Sequence, residues 1–177
     1  MSKLELVREM YWFNEWANNL ILEKAAAVSE ADLKAKPDYS YTTILTNLGH
    51  ICGAQVHWLQ RWQHGGSLWD RKPKDVDFEW NHSVYDEAEY ETLERVRADF
   101  ERSHKELREY LDGMTEERMN AVTPHTDRRG NTWERPLWRM MLHVANHGSF
   151  HRGELALCLT ALGHSPGDMD FLRWAHR

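Results

Sequence analysis

Apolar residues recur at three- and four-residue steps along four long stretches of the chain, the period of an amphipathic helix. The first stretch runs from about Ser2 to Val28, with Leu6, Met10, Phe13, Ala17, Leu20 and Ile21 as its stripe. Ser2 followed by Glu5 resembles a capping box at its start. The second runs from about Thr42 to Gln63 through Ile44, Leu48, Ile51, Trp58 and Trp62, with Gly65-Gly66 as a stop signal. The third runs from about Asp86 to Leu111, its remaining positions rich in Glu, Arg and Lys, and Gly113 ends it. The fourth runs from about Arg135 to Leu162. Pro136 suits its first turn, where a missing N–H costs nothing, and Gly163 follows it.

Shorter helical pieces are expected near Asp32, near Glu116 and from Asp168 to Trp174. Strand signals are weak; the best is a hairpin around Arg128-Arg129-Gly130-Asn131, just before the fourth helix. Four amphipathic helices with no sheet to cover predict an all-α helix bundle. The long linker from Gly65 to Tyr85 lets consecutive helices run parallel, so up-down-up-down topology is not required.

Length and charge narrow this picture. The 177 residues fit one domain, 1–177, with enough chain to bury a core. The net charge of −6 makes nucleic acid and anionic membrane poor partners. No window reaches the roughly 20 apolar residues of a membrane span, and the N-terminus has no signal-peptide core, so a cytoplasmic protein is expected. Two cysteines exclude a disulfide scaffold; Cys52 and Cys158 are read as small buried hydrophobes. The nine tryptophans are read as core or interface.

The 11 histidines change the picture most, because imidazole is both a metal ligand and a near-neutral acid or base. His143, His147 and His151 are spaced four apart on the fourth helix, so all three share one side. The apolar stripe of that helix passes through His147 and His151, and His143 falls on its flank, about 40° away from His147. His147 and His151 should therefore point into the bundle, with Glu154 within reach of the same inner surface. Two buried imidazoles side by side need partners, and a divalent metal is one. A third ligand must come from elsewhere. His50 and His57 of the second helix lie within about 20° of each other, and helical geometry does not choose between them. His64, His82, His104, His125, His164 and His176 are read as solvated surface residues. Arg152, beside His151, is read as binding an anion or pairing with an acid. Three imidazoles would leave open positions on the ion, as in a catalytic site, and they suit zinc, nickel, iron and copper alike.

The segment from His143 through His147, His151 and Glu154 to Leu155 resembles the signature helix of the DinB/YfiT-like superfamily. Tyr11-Trp12-Phe13-Asn14-Glu15-Trp16-Ala17-Asn18-Asn19 resembles that family's first-helix pattern. Leu48-Gly49-His50-Ile51 with Trp58 resembles its second helix, and Asp170-Phe171-Leu172 its C-terminal end. The resemblance implies a four-helix bundle of up-down-down-up topology, with short extra helices and long loops. It implies a divalent metal, zinc or nickel first and iron, manganese or copper next, held by His50, His147 and His151. It implies a homodimer acting on a small-molecule substrate. Some relatives resemble thiol-dependent transferases or isomerases, so the expected function is a metal-dependent transferase using a low-molecular-weight thiol. The alternatives are a metal-dependent hydrolase with a metal-bound water and a non-catalytic metal-binding stress-response protein. No separate catalytic base is evident.

Overall fold

The computed structural model describes residues 1–63, 90–126 and 131–175. Within them lie α1 (Lys3–Ala25), α2 (Glu30–Lys34), α3 (Ile44–Gln63), α4 (Leu93–Asp112) and α5 (Glu116–Asn120). Strands β1 (Val122–Thr126) and β2 (Thr132–Pro136), then α6 (Leu137–Ala161) and α7 (Phe171–Ala175), complete the order. The Gly65-Gly66 stop, the linker to Tyr85, the expected helix start near Asp86, Arg128 to Gly130, and His64, His82 and His176 lie outside the described residues.

The helix ends follow local side-chain chemistry. Ser2 accepts from the Glu5 N–H while the Glu5 carboxylate accepts from the Ser2 N–H, so the capping box is formed. Glu116, from α5, accepts from the N–H groups of Lys3 and Leu4 at 2.8 and 3.0 Å and satisfies two more donors of the same helix end. Thr92 caps α4, so that helix begins at Leu93 and Tyr90–Thr92 precede it, later than the periodicity predicts. Gly163, at φ +82°, closes α6 with the His164 N–H donating to the Leu159 carbonyl at 2.8 Å. The start of α6 also differs from expectation. Pro136 lies before the helix, because Thr132–Pro136 pair antiparallel with Val122–Thr126.

Side-chain pairs fix the helix directions. Tyr11, Asn14 and Asn18 of α1 meet Met141, Ala145 and Arg152 of α6 in rising order, so these helices are parallel. Arg8, Asn18 and Arg97 tie α1 antiparallel to α4 through Leu111, His104 and Leu22. Asn47, His50 and Trp58 of α3 meet Glu154, His151 and His143 in falling order, so α3 opposes α6. The four long helices therefore run up-down-down-up.

Two apolar clusters fill the bundle. One contains Ile21, Leu48, Phe100, Leu155 and Leu159; the other contains Tyr11, Leu59, Trp62, Leu107 and Met141. Between them lies a buried polar layer of Asn14, Asn18, Gln55, Ser103, His104 and Arg152. This layer accounts for a difference in α1. Its buried face runs through Val7, Tyr11, Asn14, Asn18 and Ile21, whereas Leu6, Met10 and Leu20 of the expected stripe are only half-buried. The inward positions include two asparagines, so counting apolar residues alone displaces the stripe. No helix among the described residues is long and apolar enough to cross a membrane.

Candidate functional site

At the level of the polar layer, α3 and α6 each present imidazoles to the gap between them. His147 and His151 occupy successive turns of α6, which their four-residue spacing requires. His50 comes from the antiparallel α3 and approaches both. Its Nε2 lies 3.3 Å from His147 Nε2, and His151 Nε2 lies 3.2 Å from the same atom. A ligand atom from each of the three rings falls within 4.8 Å of the others. All three side chains are half-buried.

This cluster fits a metal ion. His147 Nε2 has one in-plane position, a lone pair or a hydrogen, yet it faces two ring nitrogens at once. Four-coordinate zinc with nitrogen ligands at about 2.0–2.1 Å separates those nitrogens by about 3.3 Å, close to both spacings. For His50 and His147 the neutral ring is also favoured. Burial, followed by the neighbouring His151, lowers the pKa of His50. Burial, then His151, His50 and His143, pushes His147 down to about 4. Neutral imidazoles with free lone pairs are what a cation requires.

The surroundings orient the rings. Glu154 Oε2 lies 3.2 Å from His151 Nδ1, on the side away from the cluster, a close polar approach in which the N–H does not aim well enough for a hydrogen bond. The same carboxylate oxygen accepts from Asn47 Nδ2 at 3.2 Å. A carboxylate behind a ligating histidine sets its tautomer and raises its basicity.

Behind His147 is the polar layer. The Arg152 guanidinium donates to Asn18 Oδ1 and Ser149 Oγ, both at 2.9 Å, and to Asn14 Oδ1. Because a guanidinium only donates, both asparagine oxygens must face it. The Asn18 amide nitrogen then donates to His104 Nε2 at 3.2 Å, and the Asn14 amide nitrogen donates to the Ala145 carbonyl. Arg152 lies over the Phe13 ring at 5.6 Å and lines a small hollow of about 10 Å³ together with His147 and Gln55.

Several expectations change here. Arg152 is 3 % exposed and holds amide and hydroxyl oxygens, so it is buried away from solvent and pairs with no acid among the described residues. His104 is 4 % exposed and its pKa is pushed down to about 3, chiefly by burial; it is not a surface residue. The sequence signal for this layer was present in Asn14 and Asn18, which stand four apart and in register with Tyr11 and Ile21. His143 is exposed on the flank, 6.3 Å from His147 between ring centroids, and His57 is outside the cluster. His125 packs on Trp58 at 4.7 Å and is half-buried rather than solvated. Cys52 and Cys158 are buried, and burial raises both thiol pKa values, in keeping with a packing role.

Comparison with known proteins extends these observations. A search of the curated proteins finds no match. Among solved structures, a conserved protein from Enterococcus faecalis is similar with a TM-score of 0.61 at 15 % identity, over 90 % of this chain and 96 % of that one. A protein from Streptococcus pneumoniae is similar with a TM-score of 0.60 at 17 % identity, over 88 % of each chain. At such identities the likeness is one of fold. The family model described as DinB family matches residues 1–177, and the chain therefore belongs to the DinB family.

Proposed function

We propose that His50, His147 and His151 hold one divalent metal ion, zinc or nickel, and that the protein is a metal-dependent transferase using a low-molecular-weight thiol. The observation that carries the metal reading is the convergence of three Nε2 atoms with spacings of 3.2 and 3.3 Å. Three protein nitrogens leave coordination positions for small molecules, as catalytic sites do and structural sites do not. An ion so held supplies Lewis acidity, lowering the pKa of a thiol or water that it takes up. The chain's own residues supply the rest. Glu154, anchored by Asn47, orients the His151 ring. Arg152 lies across a small hollow from His147 with no carboxylate partner among the described residues, so its positive charge favours a negative group at the cluster. That preference and the family resemblance support a thiolate. The same reading expects a cytoplasmic homodimer.

Elemental analysis of protein purified without an affinity tag tests the metal, and the cobalt-substituted protein tests the thiol. About one ion per chain is expected in wild type, His143→Ala and His57→Ala, and none in His147→Ala; retention in His147→Ala refutes the triad. A cobalt spectrum unmoved by a panel of small thiols refutes the thiol part.

A further inference from the structure

Next to the three-histidine cluster lies a cavity of about 380 Å³, within the range of small-molecule sites. Its walls come from three elements. Trp58 of α3 forms one side, Met140 and His143 of α6 another, and the strand pair closes over them with His125 and Trp133. His125 and Trp133 are directly opposite in the β1–β2 register. Cross-strand partners share a face, and Arg135, two residues beyond Trp133, shares it too. Alternation places Glu134, the acidic residue of the strand pair, on the other face.

The cavity is cationic as well as aromatic. Arg135 and Arg139 line it, and no acidic residue does among the described residues. Arg135 lies over Trp133 and Arg139 over Trp138, and no carboxylate pairs with either among the described residues. A third guanidinium stands behind the aromatic wall. Arg61 is 3 % exposed, lies 5.2 Å from the Trp58 ring and sits 2.9 Å from His125 Nδ1. Because Arg61 donates, His125 Nδ1 accepts, and a neutral His125 carries its hydrogen on Nε2. In a chain of net charge −6 this concentration of positive charge is local. Trp133 is 46 % exposed, an indole face open to stacking.

We propose that this cavity is the recognition seat for a small aromatic carboxylate. Its ring stacks on Trp133, with Trp58 as the opposite wall of the cavity, and its carboxylate is held by Arg135 and Arg139. The far end of the ligand approaches His143, one helical turn from His147. That the ligand is the substrate rests on the metal-dependent reading above; that it binds does not.

The test is isothermal titration calorimetry with naphthalene-2-carboxylate, on metal-free and zinc-loaded protein and on His147→Ala. Naphthalene-2-methanol and hexanoate serve as the neutral and non-aromatic comparisons. The naphthoate is expected to bind at least about tenfold tighter than either comparison. Arg135→Gln/Arg139→Gln should lose about tenfold, and Trp133→Ala about fivefold or more. In the unmodified chain, raising salt from about 0.05 to about 0.5 M should weaken naphthoate several-fold and leave the alcohol unchanged, a readout that needs no variant. Metal-free protein and His147→Ala should bind within about threefold of wild type. Loss of metal in every sample with naphthoate binding intact therefore overturns the triad alone. Equal affinity for the neutral analogue, an unaffected arginine variant, or no binding of the naphthoate overturns the cavity proposal alone.

Discussion

Replacing Arg152 with alanine should destabilise the fold by about 3 kcal/mol. The guanidinium is 3 % exposed and satisfies three oxygens, those of Asn14, Asn18 and Ser149. Each charge-assisted bond contributes roughly 1.5–3 kcal/mol, and an orphaned buried acceptor costs roughly 1–3 kcal/mol. Against this, removing the side chain relieves a desolvated charge, whose burial pushes the Arg152 pKa down to about 10. It also enlarges the hollow of about 10 Å³ beside it, which becomes roomy enough for water to reach the freed oxygens. Both offsets keep the net near the lower end of the roughly 3–5 kcal/mol typical of a broken buried network. The assay is urea unfolding of metal-free protein followed by circular dichroism. With a slope of about 2 kcal/mol/M, the midpoint should fall by about 1.5 M. Arg152→Met, which restores volume but no donors, should recover only a minor part of the loss. A midpoint shift below about 0.3 M for alanine, or full recovery by methionine, would refute the network as the reason this cation is buried.

Three further predictions concern separate parts of the molecule. His104 has its folded pKa pushed from 6.5 down to about 3, so the unfolded chain binds the extra proton between those values and stability is lost as pH falls through that window. Metal-free His104→Gln should show a slope of stability against pH that is shallower by up to about 1.4 kcal/mol per pH unit there, measured as urea midpoints; an unchanged slope would contradict the burial of a neutral ring. Gly49→Ala would set a Cβ 2.4 Å from the Tyr90 ring, so a loss of about 1–3 kcal/mol is expected in thermal or urea unfolding, and a neutral result would contradict that close approach. Glu154→Gln should weaken metal binding about 10- to 100-fold in competition with a chelating dye while unfolding stays nearly unchanged. An affinity within twofold of wild type would mean that the carboxylate does not orient His151.

The sequence by itself determined whatever depends on the rotation of residues about one helix axis. Four long helices, the Ser2–Glu5 box, the Gly163 stop and the inward aim of His147 and His151 all follow from periodicity and capping, which are local properties. The same reasoning placed His143 on the flank, where it stands. What one axis cannot determine is which face of a second helix meets it. His50 and His57 are nearly equivalent about the axis of α3, and only the antiparallel register of α3 on α6 sets His50, not His57, opposite His147. The family resemblance pointed to His50 because it carries that register implicitly. Arg152 and His104 show the opposite failure. His104 reads as a surface residue and Arg152 as an anion binder or a partner for an acid, because charged and titratable side chains are rarely buried without partners. Their partners, Asn14 and Asn18, lie more than 80 residues away in sequence and come within reach only when α1, α4 and α6 close on one another. The cavity beside the cluster likewise arises only when the β1–β2 register sets His125 against Trp133 above α3 and α6. Periodicity reports how a helix is rotated, and only packing decides what each face encounters.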